Sequence, residues 1–198
     1  MTVTPPVLRL ASVSPRRREL LAQIGVAHLV TGAHIDESHH HGERPHDYVQ
    51  RMARTKALTV WEQDLSLPVL GADTTVVLDG KVFGKPADHA DALHMLGLLS
   101  GRTHEVLTAV ALASKEGLAM RVSVSAVRFR TLTVDEISAY WETGEPRDKA
   151  GAYAIQGLGA VFVESLTGSF SGVMGLPLFE TSQLLREAGV PCWGTMGA

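Results

Sequence analysis

Residues 12–18 read "SVSPRRR", two serines and a proline followed at once by Arg16, Arg17 and Arg18. Proline favours the first position of a helix, and the following "ELLAQIG" has helical patterning closed by glycine. A helix start is the positive end of the macrodipole, so three guanidinium groups there work against it. Free N–H groups, a serine cap and arginines at one helix start suit a bound anion, and a phosphate chain is the obvious one.

Carboxylates and lysines recur further along. Asp73 in "GADT" follows an apolar run, and a carboxylate at a strand end commonly projects into a cleft. On that stretch alone an Asx turn or cap is the simpler reading. Lys85 in "GKP" reads equally as a surface lysine before a proline turn, and Lys56 as a solvated helix position. Asp36 and Glu37 form a second acidic pair; set across a cleft from Asp73, they suit a divalent cation such as Mg²⁺, which takes few carboxylates and keeps its waters. His39, His40 and His41, with His34 and His46 nearby, tempt a zinc reading. Consecutive histidines point in different directions and make no tetrahedral site by themselves. They read as a mobile polar loop.

"TGEPRDKAGAYAIQG" is the richest stretch, with Asp148 and Lys149 ahead of a small-residue run that ends in Gln156. Small residues let a ligand approach the backbone closely, though buried turns use them too. Cationic loops, carboxylates and a lone amide together favour a nucleotide. Neither a Walker loop nor a GxGxxG follows a strand, which leaves the common NTPase and dinucleotide folds unsupported.

These residues need elements to position them. Apolar patterning predicts a strand at 7–12, a helix from Pro15 to Gly25, and a strand within 28–36 that ends in the acidic pair. A helix runs from Pro45 to about Trp61. "LPVLGADTTVVLDGKVFGKP" reads as a strand, a break at Gly71-Ala72-Asp73, and a second strand turning at Asp79-Gly80. Residues 88–99 form a helix, and 103–114 with 119–131 a hairpin. Thr133 and Glu136 make a capping box for a helix stopped by Gly144. Glycine-punctuated strands then lead to a last helix at 177–188. Alternating helices and strands interrupted by hairpins predict an α/β fold with a mixed central sheet and flanking helices.

The chain of 198 residues suits one domain, with a net charge of −3 that argues against a broad nucleic-acid face. An anion site must therefore come from local clustering of Arg and Lys. The single cysteine rules out an intrachain disulfide or a cysteine-cluster zinc site and fits a reducing compartment. No apolar run is long enough for a membrane helix, and the start lacks the pattern of a signal peptide. A cytoplasmic protein without membrane or nucleic-acid partners is the expectation.

"LASVSPRRRELL", "GADTTVV", "GKPADHADALHMLGLLSGRTHEVLTAVAL" and the stretch from "YWETGEPRDKAG" to "GLPLFET" closely resemble the Maf family of nucleoside triphosphate pyrophosphatases. The similarity runs from about Leu8 to Leu185, with the motifs in order. It implies a single two-lobed domain over 1–198, similar to the inosine-triphosphate pyrophosphatases, with substrate in the cleft between lobes. It also implies cleavage between the α and β phosphates with a divalent cation, Mg²⁺ or Mn²⁺. Carried across, the general base falls on Asp73. Phosphate-binding groups fall on Ser12, Arg16, Arg17, Lys56 and Lys85, and the acidic metal ligands on Asp73 and Glu37. "HIDES" departs from the family pattern and leaves the choice between Asp36 and Glu37 open.

Gln156, with Thr74 and Arg16 as further specificity contacts, resembles the branch acting on dTTP and UTP. That branch keeps non-canonical nucleotides from incorporation. Hydrolysis of 7-methyl-GTP, a broad activity on modified pyrimidine nucleotides, or a nucleotide-binding role in septum formation are the alternatives. The resemblance admits a homodimer.

Overall fold

The computed structural model describes residues 5–193. The first four residues and the tail from residue 194 onward, both touched by the sequence reading, lie outside the described residues. The elements run in this order: β1 (Leu8–Leu10), α1 (Pro15–Gln23), β2 (His28–Val30), α2 (Pro45–Trp61), β3 (Val69–Leu78), β4 (Lys81–Phe83), α3 (His89–Leu99). The hairpin β5 (Thr103–Ser114) and β6 (Gly117–Phe129) follows, then α4 (Val134–Glu142) and three 3₁₀ turns at Glu145–Asp148, Ala150–Ala152 and Leu158–Phe162. The chain continues with β7 (Val163–Thr167), α5 (Phe170–Met174) and α6 (Leu178–Glu187).

One mixed sheet results, in the order β2-β1-β3-β5-β6-β7, with β4 beside the far end of β3. β1 pairs in parallel with β2 and β3, and the remaining ladders are antiparallel. Side chains of a strand alternate between faces, and β3 shows how that alternation divides the molecule. Leu70 and Ala72 join Leu8, Leu10, Leu21, Leu184 and Leu185 in one apolar core. On the same face, Val76 and Leu78 join Leu96, Leu99, Phe129 and Ile137 in another. Thr74 stands between the two. On the opposite face Val77 packs with Val49, Ala53 and Ala57 of α2.

The sequence expectation of a break at Gly71-Ala72-Asp73 is wrong: β3 is continuous and pairs with β5 from Val69 to Val77. Gly71 is small for a different reason. A Cβ there would lie 2.4 Å from the Ala53 carbonyl oxygen and 2.6 Å from the Ala57 nitrogen, so glycine lets α2 lie against the strand. Asp73 therefore sits mid-strand, not at a strand end. The strand expected within 28–36 is limited to His28–Val30, because β1 offers only three residues to pair with. Of the glycine-punctuated strands expected before the last helix, β7 alone forms; the rest are 3₁₀ turns and the short α5.

Helix termini follow their chemistry. Thr133 and Glu136 form the reciprocal capping box at α4, and Asp88 caps α3 by accepting from the Asp91 N–H. The expected serine cap on α1 is absent in one respect. Ser14 holds the N-cap position, but its side chain makes no capping bond.

Candidate active site

β3 has two different neighbours on one edge. β1 accompanies it through Leu70, and β4 takes over at Val76. Between them the strand has no partner on that side among the described residues, and the register turns the backbone groups of Ala72 and Thr74 toward the gap. A cavity of about 610 Å³ opens there. It lies beyond the carboxyl end of β1, whose two sheet neighbours are reached by connections running in opposite directions, the switch point where α/β sheets take ligands.

Because the gap exposes the strand edge, side chains from both faces of β3 reach the cavity. Asp73, on the α2 face, is 8% exposed and accepts from Lys56 Nζ at 2.7 Å. The same Nζ lies 2.6 Å from Glu37 Oε1. Lys56 is also only 8% exposed, so reading it as a solvated helix position fails. Its place on the buried face of α2 puts it directly over the strand. Of the Asp36/Glu37 pair, both exposed, Glu37 lines the cavity, whereas Asp36 does not and accepts from the Ser38 N–H at 2.8 Å.

The two carboxylates are pushed apart. Burial drives Asp73 above the usual carboxylate range, against the pull of Lys56 and Arg17. At Glu37 burial is outweighed by the Lys56 hydrogen bond and by the charges of Lys56, Lys85 and Arg17, and its pKa falls. Neighbouring acids shifted in opposite directions differ in how readily each holds a proton.

On the other face Arg17 reaches inward from the first turn of α1. It donates from Nε to the Gly175 carbonyl at 2.8 Å, from Nη1 to Ser12 Oγ at 3.3 Å and from Nη2 to Thr74 Oγ1 at 3.3 Å. Burial lowers its pKa from the free guanidinium value. The Thr108 hydroxyl stands 3.0 Å from that of Thr74 and donates to the Gly172 carbonyl at 2.7 Å. Arg16 and Lys85 line the cavity and form no ion pair among the described residues. Arg18 is exposed and does not line this cavity. Gln156 also lines the cavity, so Ser12, Arg16, Arg17, Glu37, Lys56, Asp73, Thr74, Lys85 and Gln156 all border one space.

Sequence reasoning left several residues without a role. Lys149 faces the cavity, paired with Asp148. The Tyr48 hydroxyl donates to the Glu37 carbonyl at 3.0 Å, and burial with the charges of Asp73 and Glu37 pushes its pKa to about 12, which keeps it a donor. Arg51 grips Glu43 at 2.6 Å and the Ser38 carbonyl at 3.0 Å. The histidine-rich loop read as mobile is therefore tied to α2. Nothing but the i, i+3 spacing of Tyr48 and Arg51 signalled this.

Lining the cavity are Arg16, Arg17, Lys56, Lys85 and Lys149 against Glu37, Asp73 and Asp148, a positive balance within a chain of net charge −3. Among the described residues no group of three or more His, Cys, Asp or Glu is placed to hold a metal ion. Glu37 and Asp73, converging on one ammonium, still offer the two carboxylates that Mg²⁺ or Mn²⁺ takes when phosphates and waters complete its shell. The donor set fits such a cation.

The fold and site define an α/β protein whose sheet opens at a switch point into a cavity with a surplus of cations, the setting that suits an anion. A family model described as Maf-like protein matches residues 7–188. A dTTP/UTP pyrophosphatase of Methylobacillus flagellatus is 52% identical over 197 residues, spanning 98% of this chain and 99% of the relative. Proteins of the same name from Bordetella parapertussis and Saccharophagus degradans are 54% and 53% identical, covering 96% and 94% of this chain and 96% and 90% of their own lengths. The chain belongs to the Maf family. Among the described residues no helix is long and apolar enough to cross a membrane.

Proposed function

We propose that this chain is a nucleoside triphosphate pyrophosphatase that hydrolyses dTTP and UTP to the monophosphate and pyrophosphate. One observation carries the reading: Lys56 stands between Asp73 and Glu37 at the gap in β3, ringed by further cations on the same cavity. The names of the relatives, at 52–54% identity over nearly the whole chain, support the substrate assignment.

In this reading the polyphosphate lies against Ser12, Arg16, Arg17, Lys56, Lys85 and Lys149, where preset donors stabilise charge that grows on the leaving group. Asp73 accepts the proton of the attacking water. The new bond joins water oxygen to the α-phosphorus; the bond from that phosphorus to the oxygen bridging to the β-phosphate breaks, and pyrophosphate departs with the electron pair. Asp73 suits the role because burial raises its basicity while Lys56 and Arg17 keep its charged form available. Glu37 and Asp73 would hold a divalent cation, which supplies charge neutralisation of the phosphates.

Gln156, Thr74 and Arg16 select the base and its neighbourhood. A neutral amide offers a donor and an acceptor, matching the N3–H and O4 of uracil and thymine. A cytoplasmic setting and a homodimer belong to the same reading, the first resting on the single Cys192, the second on the resemblance alone.

Pyrophosphate release from dTTP, UTP, dGTP, 7-methyl-GTP and modified pyrimidine triphosphates, with Mg²⁺ and after chelation, tests the proposal. Turnover of dTTP and UTP above the purine substrates, lost on chelation, is expected. Selective turnover of 7-methyl-GTP, or binding without turnover, overturns it.

A further inference from the structure

Residues 154–159 carry Gln156 along the cavity wall, and two side chains that do not line the cavity grip this segment from behind. Glu145 accepts from the Leu158 N–H at 2.9 Å through one carboxylate oxygen. Its other oxygen accepts from the Gly159 N–H at 3.0 Å and from the Tyr140 hydroxyl at 2.6 Å. That hydroxyl in turn accepts from the Ala154 N–H at 3.1 Å. Glu145 and the Tyr140 hydroxyl it holds thus tie the segment on either side of Gln156, at Ala154 and at Leu158–Gly159, to α4 and the turn after it.

The glycines of the segment exist for this grip. A Cβ at Gly157 would lie 2.1 Å from a Glu145 oxygen, and one at Gly159 would lie 2.7 Å from the Tyr140 hydroxyl. Larger residues would force the carboxylate out. Burial opposes the charge on Glu145, but the Tyr140 hydroxyl and the two N–H groups outweigh it and hold the carboxylate ionised. Hydrogen bonds to an ionised acceptor are the strong ones.

We propose that Glu145, acting with Tyr140, is a positioning residue for base selection, fixing the segment from which Gln156 reads the nucleobase. The proposal rests on the base-reading role given to Gln156 above. A site built to hydrogen-bond a base edge rejects analogues strongly only when its groups stay in place, and small misplacements are costly. Neither side chain lines the cavity, so the chemistry at Asp73 should survive their loss.

Steady-state kinetics of Glu145→Ala, Glu145→Gln and Tyr140→Phe beside the wild type test this, with dTTP, UTP and dGTP as substrates. Inorganic tripolyphosphate serves as a competitive inhibitor that has no base. In Glu145→Ala, KM for dTTP and UTP should rise about tenfold and the preference for dTTP over dGTP should fall by a similar factor. Its kcat should stay within about twofold and the tripolyphosphate inhibition constant should hold, since phosphate binding is separate. Glu145→Gln, which keeps one acceptor oxygen, should restore part of the preference. Tyr140→Phe removes a single oxygen and should shift preference the same way by less, which keeps the test available should Glu145→Ala fail to fold. Weakened tripolyphosphate inhibition in step with KM would mean a merely structural role and overturn the proposal. A wild type that prefers pyrimidines beside folded variants with unchanged preference would sink the grip alone; a wild type with no base preference would sink it together with the role of Gln156.

Discussion

Arg17 Nε donates to the carbonyl of Gly175 at 2.8 Å, joining the first turn of α1 to the residue that closes α5, 158 positions away. The contact accounts for Arg17 at a helix start. The guanidinium that burdens the positive end of its own helix rests against the carbonyl end of another, where a cation is welcome. Gly175 takes a positive φ of 119°, which turns the chain at that point.

Three directed bonds to Gly175, Ser12 and Thr74 need the planar guanidinium fork, which a lysine cannot supply. Arg17→Lys should lower kcat/KM by at least about tenfold, whereas Arg18→Lys, at an exposed position, should stay within about twofold. Equal losses at the two positions would reduce the helix start to a charged surface. Pyrophosphate release at matched protein concentration measures both.

Asp73→Asn should leave the circular dichroism spectrum intact and cut turnover by roughly 10²- to 10⁴-fold. Near-normal turnover in a folded variant would remove Asp73 from the role of base. Lys56→Met leaves Asp73 buried beside Glu37 without its cation, and breaking such a pair costs about 3–5 kcal/mol. Urea unfolding should show that loss, and Lys56→Met combined with Asp73→Asn should recover most of it, the coupling expected of direct partners.

Gln156→Glu replaces a donor–acceptor amide by an acceptor alone. Hydrolysis of dTTP and UTP should fall far more than inhibition by tripolyphosphate. A variant that keeps its pyrimidine preference would place base selection elsewhere.

His104, which does not itself line the cavity, offers a pH test. Its ring lies against Phe129, with Nε2 2.8 Å from the Tyr153 hydroxyl and Nδ1 buried without a partner among the described residues. Burial lowers its pKa from 6.5 to about 4. Between those values the unfolded chain binds a proton that the folded one does not, so stability falls as the pH drops through the window and levels off below it. The full effect is about 3 kcal/mol, of which about 2 kcal/mol is lost by pH 5. Urea unfolding at pH 7 and pH 5 should show a smaller acid loss for His104→Phe than for the wild type. An identical loss in both would mean that His104 is not the group responsible.

How much of this the sequence revealed depends on the range of the interaction. Local patterns read correctly: the capping box at Thr133 and Glu136, the β5–β6 hairpin and the span of α2 each depend on neighbours in the chain. Gly71 misled because its reason is long-range. A strand glycine looks like a break until a helix is known to cross it. Lys56 misled for a related cause, since helical spacing does not say which lysine faces a buried carboxylate. The site residues themselves were reached largely through resemblance; residue types alone stopped at a phosphate-handling protein. Glu145 lay within the stretch read as most informative, yet its role depends on a backbone segment it meets only after the chain has turned through two 3₁₀ elements.

The interrupted edge of β3 has a consequence for how this chain can be stabilised. Its sheet is left unfinished over the few residues between β1 and β4, and water or substrate must complete what a strand would otherwise supply. The opening is short and walled at both ends, so it does not invite another chain to add on, as a free outer edge would. Substitutions that lengthen β1 or β4 across it would gain ladder hydrogen bonds and seal the place where Asp73 and Thr74 meet their ligand. Here the most evident route to a sturdier sheet is also the surest way to an inert one, a trade between stability and activity written into a single strand.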